Sequence, residues 1–287
     1  MRPRVTGEQL IMKPPGITSC GNSIFKWGQR TYIMGIINLS PDSFSGDGCA
    51  SLDAALQKAR QMVDDGADII DVGGESTRPD ASPVSVEEEI RRVIPFIAGI
   101  SGRIGVPVSV DTYKHDVALR ALEAGACMIN DISGVNMQPG MVELAAEKDV
   151  PIVLTSNQRG QTVSGILEAV ISQLQGLIER AARAGVREEH IIVDPGIGFG
   201  KTVGQNLEIV RRLDELKVLG RPVLLGTSRK SFIAAVAGAS PEERYLGTAA
   251  SVAIGISKGA DMVRVHDVKQ MKLICRMSDA IAGRIQV

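Results

Sequence analysis

Eight short apolar runs, separated by segments of helical periodicity, constrain the fold of this 287-residue chain more than any other feature. Most of the runs are continuously apolar, which is typical of parallel strands that are covered on both faces. The runs are residues 31–38, 68–73, 106–111, 127–132, 151–156, 191–196, 222–227 and 261–266. Helical spacing occupies residues 51–66, 85–98, 163–184, 243–258 and 268–282. The alternation predicts an α/β fold of one domain, the (β/α)8 or TIM barrel.

Two short segments precede the first run. Residues 1–15 show little periodicity, so we expect a loosely attached N-terminal arm there. Residues 22–33 favour a short hairpin around Gly28 and Gln29. We therefore assign residues 16–287 to the barrel domain. An open doubly wound sheet is the alternative, but the chain has no G-x-G-x-x-G turn and no composition break that would mark a second domain.

Composition and charge narrow the classes of function. The formal net charge is −1 and no long basic run occurs, so neither nucleic acid nor an anionic membrane is indicated as a partner. No segment approaches the ~20 apolar residues of a membrane span, and no secretory signal is visible, so we expect a cytoplasmic protein. The four cysteines are scattered without a C-x-x-C pair, which argues against a disulfide framework and a zinc site.

Polar or charged residues end nearly every apolar run. A single Asp or Asn at a strand end is often only a helix cap or a turn former. In a barrel, however, the carboxyl ends of all the strands meet at the face that carries the active site. Buried polar groups need partners, so such a rim favours a polar ligand. The residues are Asn38, Asp71, Asp111, Asn130, Asp131, Thr155, Ser156, Asn157, Asp194, Ser228, Arg229, Lys230, Ser231, Arg264 and His266.

The residue types at this rim indicate two kinds of ligand group. One set offers acceptors and an amide for the edge of an amino-oxo heterocycle, namely Asp111, Asn130 and Asp194. A second set offers positive charge and donors for an anion, namely Lys230, Arg264 and His266. Residues 38–48 and 73–82 are rich in Gly, Ser and Pro, which suits mobile lids. The GIGFGK segment, residues 196–201, lacks the G-x-x-x-x-G-K-[ST] spacing and is not interpreted as a phosphate-binding loop.

Taken together, seven stretches resemble the dihydropteroate synthase family across about residues 16 to 284. They occur in the family order as MGIINLSPDSFSGDG, DIIDVGGESTRP, VSVDTYK, INDISG, VDPGIGFGK, LLGTSRKSF and VRVHDV. The resemblance implies the same barrel fold. It also implies an enzyme of folate biosynthesis, a transferase that joins (7,8-dihydropterin-6-yl)methyl diphosphate to 4-aminobenzoate and releases 7,8-dihydropteroate and diphosphate.

The resemblance assigns roles to the positions that match the family motifs. The implied pterin-binding residues are Asp111, Asn130, Asp194 and Lys230. The implied diphosphate-binding residues are Asn38, Thr77, Arg264 and His266, and Asn38 is also the implied ligand of Mg²⁺. The implied 4-aminobenzoate-binding residues are Phe44, Thr77, Arg78, Pro79, Lys230 and Ser231. The implied catalytic residues are Lys230, Arg264, His266 and Asn38.

The implied mechanism explains these residue types. In the family the C–O bond to diphosphate breaks first, and the arylamine nitrogen attacks the resulting pterin-stabilised cation. No protein nucleophile is needed, because the protein must stabilise a departing anion and exclude water. The family also implies Mg²⁺ as cofactor, small-molecule substrates as partners, sensitivity of the class to sulfonamides, and a homodimer formed through the last helices.

Three segments depart from the family pattern. After the fifth run, Thr155-Ser156-Asn157 stands where the family usually has Met and His, the Met packing on the pterin. The first lid reads Ser45-Gly46-Asp47-Gly48, where Ser-Asp-Gly-Gly is usual. Asp80 stands where a Gly commonly follows the Pro. The departures concern the pocket and the lids, not the barrel.

Two other functions remain open at this point. The methyltetrahydrofolate–corrinoid methyltransferases share the Asp/Asn/Asp pterin clamp but need no diphosphate site. The segments Ser228-Arg229-Lys230-Ser231 and Arg264-Val265-His266-Asp267 favour the synthase over this alternative. A non-catalytic pterin-binding paralogue is the other possibility, and the altered segment after the fifth run motivates it.

Overall fold

Eight parallel strands form a barrel in a computed structural model of the chain, which describes residues 16–39, 52–76 and 82–285. Each of the eight predicted runs contains one of these strands, so the predicted barrel is confirmed. The antiparallel hairpin strands that precede the barrel are β1 (Ile17–Cys20) and β2 (Ser23–Lys26). The barrel strands are β3 (Tyr32–Asn38), β4 (Ile69–Gly73), β5 (Val108–Asp111), β6 (Met128–Asp131), β7 (Ile152–Thr155), β8 (Ile191–Asp194), β9 (Leu224–Leu225) and β10 (Met262–Val265).

The strands are hydrogen-bonded in the order β8-β7-β6-β5-β4-β3-β10-β9. The two ends of this sheet meet at Val193, which forms a parallel bridge with Val223. The amide of Val193 also donates to the carbonyl of Pro222 at 2.9 Å. This contact closes the ring of the eight described strands.

Helices cover the outside of the barrel. They are α1 (Leu52–Asp64), α2 (Val86–Ile100), α3 (His115–Glu123), α4 (Met141–Glu147), α5 (Ile166–Arg183), α6 (Val203–Arg211), α7 (Ser231–Ala237), α8 (Arg244–Ser257) and α9 (Val268–Ile281). The five helices predicted from periodicity are confirmed as α1, α2, α5, α8 and α9. The others were not predicted, because helices of seven to nine residues are too short for a periodic stripe. None of the described helices has the length and apolar character needed to cross a membrane.

The N-terminal hairpin lies earlier than predicted. Its turn is at Gly21, where φ is +55°, and not at Gly28 and Gln29, although Gly28 also has a positive φ. The aromatic rings of Phe25, Trp27 and Tyr32 pack together with centroid distances of 4.9 to 5.6 Å. This group seals the amino-terminal end of the barrel. The predicted N-terminal arm, residues 1–15, lies outside the described residues.

Side chains inside the barrel form an apolar floor and a polar mouth. The floor belongs to the same buried cluster as the hairpin aromatics and comprises Met34, Ile69, Met128, Val153, Ile192, Leu224 and Met262. Because side chains alternate along a strand, the next inward position is two residues further on. On β4, β6, β7, β8 and β10 that position is occupied by Asp71, Asn130, Thr155, Asp194 and Arg264. The alternation therefore places a polar layer directly above an apolar one.

Two helical glycines provide a test of this packing. A Cβ on Gly255 in α8 would lie 2.2 Å from Cδ2 of the fully buried Leu225, so Gly255→Ala should destabilise the fold by about 1–3 kcal/mol. A Cβ on Gly176 in α5 would meet nothing within 4 Å. Gly176→Ala should therefore stabilise the fold by about 0.5–1 kcal/mol through helix propensity. Urea denaturation of both variants measures the two changes, and equal effects would contradict the described contact of α8 with β9.

Candidate active site

The polar mouth contains buried oxygens that accept no hydrogen bond from the residues that the structure describes. Within the described residues, five such atoms of this layer have no hydrogen-bond partner: Asp71 Oδ1, Ser109 Oγ, Asp111 Oδ1, Asn130 Oδ1 and Thr155 Oγ1. An unmatched buried polar group costs about 1–3 kcal/mol. A ligand that presents N–H groups to these oxygens would recover that free energy, which indicates a binding site for a donor-rich molecule.

One charged network organises the layer. Arg264 donates from Nε to Asp71 Oδ2 at 2.6 Å and from an Nη to Asp111 Oδ2. Asn130 donates from Nδ2 to the same oxygen of Asp71 at 3.0 Å. Asp71 is completely buried and thereby fixes both partners. Because the amide nitrogen of Asn130 is committed to Asp71, the amide presents its oxygen to the mouth.

The two predicted acceptor carboxylates lie on either side of Asn130 in this layer. Burial raises the pKa of Asp111 to about 7, although Arg264 opposes this effect. Burial also raises the pKa of Asp194, whose Oδ1 accepts the amide N–H of Gly196 at 2.7 Å. The structure thus brings Asp111, Asn130 and Asp194 together, as predicted from the ends of their strands.

Lys230 reaches the same mouth from the start of α7. Its ammonium donates to the carbonyl of Ile197 and lies 4.8 Å from the centroid of the Phe199 ring. Burial lowers the pKa of Lys230 to about 8, while Asp194 raises it. A Cβ built on Gly226 would come within 4 Å of Asp194, Lys230 and Arg264. The three charged side chains therefore converge over Gly226, which has no side chain of its own.

Arg229 helps to direct Lys230. It adopts a left-handed backbone conformation with φ of +54°, which is unfavourable for a residue with a Cβ. Its guanidinium pairs with Asp267 through contacts of 3.0 and 2.6 Å. This pair holds Arg229 against the start of α9. The next residue, Lys230, is thereby turned inward.

Ser228 fixes the ring of His266 at the rim. The hydroxyl of Ser228 accepts the backbone N–H of His266 at 3.1 Å. The same hydroxyl lies 2.9 Å from Nδ1 of the His266 ring, and the direction of this hydrogen bond depends on the ring tautomer. In the tautomer that carries its proton on Nε2, the hydroxyl donates to Nδ1, and the outer ring nitrogen is a hydrogen-bond donor.

The segment that departs from the family pattern is split between two environments. The hydroxyl of Thr155 belongs to the mouth and lies among its unpartnered oxygens. Ser156 is completely buried, and its hydroxyl donates to Gln173 of α5 at 2.6 Å. Gln158 donates to Ser156 and to Gln173 at 3.3 and 3.2 Å. Ser156 and Gln158 thus belong to a network behind the barrel wall.

The other predicted residues divide into described and undescribed positions. Asn38 is the half-buried last residue of β3, level with Gly73 of β4. Ser231 is exposed at the first position of α7. Outside the described residues lie Phe44, Thr77, Arg78, Pro79, Ser45-Gly46-Asp47-Gly48 and Asp80. The role of Asp71 was not predicted from the sequence, although its spacing of two residues from Ile69 indicates an inward side chain.

The sequence matches known proteins over most of its length. Residues 34–266 match the family model of the pterin-binding enzymes. The chain is 51% identical over 263 residues to the dihydropteroate synthase of Bacillus subtilis, with 91% of this chain and 92% of that protein covered. It is 49% identical to the dihydropteroate synthase of Clostridium beijerinckii, with coverage of 92% and 99%.

The fold matches solved structures of the same class. The chain superposes with a TM-score of 0.86 on a dihydropteroate synthase from Clostridium difficile crystallised in the presence of pteroic acid, at 49% identity and with coverage of 90% and 98%. It superposes with a TM-score of 0.88 on the Yersinia pestis dihydropteroate synthase in a sulfonamide complex, at 36% identity and with coverage of 93% and 99%.

We predict the Nε2-protonated tautomer for His266, in which the Ser228 hydroxyl donates to Nδ1. At a pH where the ring is neutral, ¹⁵N NMR should therefore show a protonated Nε2 and an unprotonated Nδ1. Ser228→Ala should remove this preference and give a mixture of tautomers. His115, whose Nδ1 faces Asp116 at 3.0 Å on the surface, should not change. A protonated Nδ1 on His266 before the substitution would contradict the assignment.

Proposed function

Because the chain belongs to the pterin-binding enzyme family, and within it to the dihydropteroate synthases, we propose that the polar mouth of its barrel carries out that transferase reaction. The reaction joins (7,8-dihydropterin-6-yl)methyl diphosphate to 4-aminobenzoate and releases diphosphate. The observation that supports this assignment is the convergence of Asp194, Lys230 and Arg264 over Gly226, beside the unpartnered oxygens of Asp111 and Asn130. The mouth thus offers acceptors for a heterocycle and cations for an anion.

The pterin occupies the deep part of the mouth in this proposal. Its amino and ring N–H groups donate to the carboxylates of Asp111 and Asp194. The amide oxygen of Asn130 accepts a further N–H, because Asp71 holds the amide nitrogen. Lys230 donates to an acceptor on the pterin ring. Each contact pairs a buried group that otherwise costs free energy.

The diphosphate occupies the outer part of the mouth. Arg264 commits Nε and one Nη to Asp71 and Asp111, and the other Nη of its fork can bind an anion. His266 adds the N–H of Nε2. These donors stabilise the charge that develops on the leaving oxygen.

The reaction then needs little covalent chemistry from the protein. The C–O bond of the pterin methylene breaks, and its electron pair leaves with the diphosphate. The nitrogen of 4-aminobenzoate attacks the methylene carbon, forms the C–N bond and loses a proton. The chain orients the two substrates and keeps water from the cation. Lys230 and the exposed Ser231 border the position proposed for 4-aminobenzoate, whereas Phe44, Thr77, Arg78 and Pro79 remain predictions.

Magnesium is proposed as the metal of this site. Mg²⁺ prefers oxygen ligands and commonly takes only one or two from the protein, with substrate phosphates and waters supplying the rest. The amide oxygen of Asn38 at the end of β3 fits this requirement. Within residues 16–39, 52–76 and 82–285, no group of three His, Cys, Asp or Glu side chains forms a site that would bind a metal by itself. When bound, Mg²⁺ neutralises charge on the diphosphate.

We also propose a homodimer formed through the last helices. On α9, Leu273, Met277 and Ile281 are 70%, 62% and 75% exposed. Their spacing of four residues puts them on one face of the helix. On α8, Leu246 and Ile254 are also exposed. A surface of this kind favours a self-complementary contact between two copies of the chain.

The synthase assignment is tested by assaying dihydropteroate formation and diphosphate release. His266→Ala should lower turnover by about 10²–10³-fold, because one donor to the leaving group is lost. His115→Ala, a surface histidine variant, should keep normal turnover. Methyl transfer from methyltetrahydrofolate to cobalamin should be absent. Methyl transfer without synthase activity would identify the methyltransferase, and pterin binding without either activity would identify the paralogue.

Asp111 should make pterin binding depend on pH. The carboxylate accepts from the pterin, so binding favours its ionised form, while burial raises the pKa of the ligand-free group to about 7. Pterin affinity should therefore be full above pH 7 and fall by up to about tenfold per unit below it.

The Asp111→Asn variant should bind the pterin about 1–3 kcal/mol more weakly at pH 8, and its affinity should depend less on pH. Calorimetry measures both effects, and exposed Asp116→Asn serves as the control. An unchanged pH profile in Asp111→Asn would remove this residue from the clamp.

The proposed dimer predicts a specific dissociation. Met277→Glu places a charge in the middle of the exposed face of α9 and should convert the dimer to monomers. Val218→Glu changes a similarly exposed apolar residue, 60% exposed in the 3₁₀ segment Leu213–Leu219, and should leave the dimer intact. Sedimentation velocity distinguishes the two forms. A dimer that survives Met277→Glu would exclude this face.

A further inference from the structure

Lys201 ends in a cage of three backbone carbonyls. Its ammonium donates to the carbonyls of Ser156 at 3.0 Å, Gly196 at 2.9 Å and Phe199 at 3.3 Å. An ammonium has three N–H donors, so this set uses all of them. Lys201 therefore has no donor left for a substrate, and its function must operate through the backbone that it holds.

The backbone in question is the glycine-rich loop of residues 196–200. Gly196, Gly198 and Gly200 have φ angles of +70°, +83° and +68°, which side chains rarely tolerate. A Cβ on Gly196 would lie 1.7 Å from the carbonyl oxygen of Ser156. A Cβ on Gly200 would lie 2.2 Å from the amide nitrogen of Arg159. The loop therefore runs directly against the segment that follows β7.

The polarity of this loop is the reverse of a phosphate-binding loop. In phosphate loops, backbone N–H groups converge on an anion. Here carbonyl oxygens converge on a cation, and the cation is supplied by the chain itself. The GIGFGK segment, which did not fit the phosphate-loop spacing, thus has a different explanation: its glycines allow the close approach, and its lysine closes the cage.

The opposite side of the same loop supports Lys230. The carbonyl of Ile197 accepts from the Lys230 ammonium, and the Phe199 ring faces that ammonium at 4.8 Å. A Cβ on Gly198 would lie 3.1 Å from Cδ of Lys230, so the stem of Lys230 rests on this glycine. The loop is therefore the surface against which Lys230 is held over the mouth.

We propose that Lys201 is a positioning residue, which clamps residues 196–200 onto the end of β7 so that Ile197 and Phe199 hold the Lys230 ammonium in place. This inference rests on the proposed function, in which Lys230 contacts the substrates. Burial lowers the pKa of Lys201 to about 7, and Asp194 opposes this effect. A half-buried lysine whose ammonium is held by carbonyls costs stability, which favours a role beyond stability.

The test is a double-substitution cycle on the full-length chain with Lys201→Met and Lys230→Ala. Met preserves most of the length of the side chain and removes the ammonium. Lys201→Met alone should reduce kcat by about 10- to 100-fold, because Lys230 is displaced. In the Lys230→Ala background the same change should alter kcat by less than about twofold. Equal losses in both backgrounds would show that Lys201 does not act through Lys230 and would overturn the proposal.

Two further measurements separate the possible failures. Lys201→Arg keeps the charge, but a planar fork cannot serve three carbonyls arranged around an ammonium, so kcat should lie between the wild-type and Met values and show the same coupling. If the Met variant does not fold, the Arg variant provides the cycle. The ¹³Cε titration of Lys230 by NMR needs no activity. Lys201→Arg keeps the charge that acts on Lys230 but disturbs the carbonyl cage, so it should shift this titration if Lys201 positions Lys230.

Lys258→Met provides the matched control, since this surface lysine pairs only loosely with Asp214 at 3.4 Å. It should leave both kcat and the Lys230 titration unchanged. A wild-type chain without synthase activity would defeat the proposed function, and the NMR shift would still decide the role of Lys201. An unshifted Lys230 titration in Lys201→Arg would overturn the inference even if the enzyme is a synthase.

Discussion

The closed ring of parallel strands determines which side chains can meet in this protein. Each strand sends alternate residues inward, so the position of Ile69 or Met128 in the apolar floor also fixes Asp71 or Asn130 in the mouth above it. A shift of one residue in any strand would turn its polar residue out into the helical layer and bring an aliphatic one into the mouth. The contact between Val193 and Val223 therefore matters beyond stability, because it completes the ring that holds this register.

The closed barrel then imposes an electrostatic requirement on the mouth. Carboxylates that are taken out of water need cations close to them. Arg264 meets this need for Asp71 and Asp111 by direct pairing, and Lys230 lies near Asp194. These pairings do not fully compensate for the loss of water, since burial still raises the pKa values of Asp111 and Asp194 and lowers that of Lys230. A substrate with N–H groups at one end and an anion at the other would supply the missing partners. The free protein is therefore less stable at the place where the ligand binds.

The sequence predicted the parts of this arrangement that depend on local pattern. The strands could be predicted because each is a continuous apolar run, and Asp111, Asn130, Asp194 and Arg264 could be predicted because they interrupt or end those runs. The hairpin was misplaced because Gly21 and Gly28 are equally good turn formers. The roles of Asp71 and Lys201 could not be predicted, because their partners are distant in the chain. Asp71 meets Arg264 across 193 residues, and Lys201 meets Ser156 across 45.

The alternation of inward and outward side chains along β7 shows which of the residues that depart from the family pattern faces the mouth. Val153 lies in the floor and Leu154 in the outer core, so Thr155 faces the mouth and Ser156 faces the helices. The hydroxyl of Ser156 donates to Gln173 of α5. The presence of serine in place of the family's histidine therefore changes contacts behind the barrel wall and not in the mouth. Only Thr155 changes what a pterin would meet, since a hydroxyl replaces the thioether surface of a methionine. That hydroxyl lies beside Asp194 in the strand register. Threonine in place of methionine therefore removes an apolar contact with the pterin ring. It adds one more hydrogen-bonding group to the polar layer of the mouth.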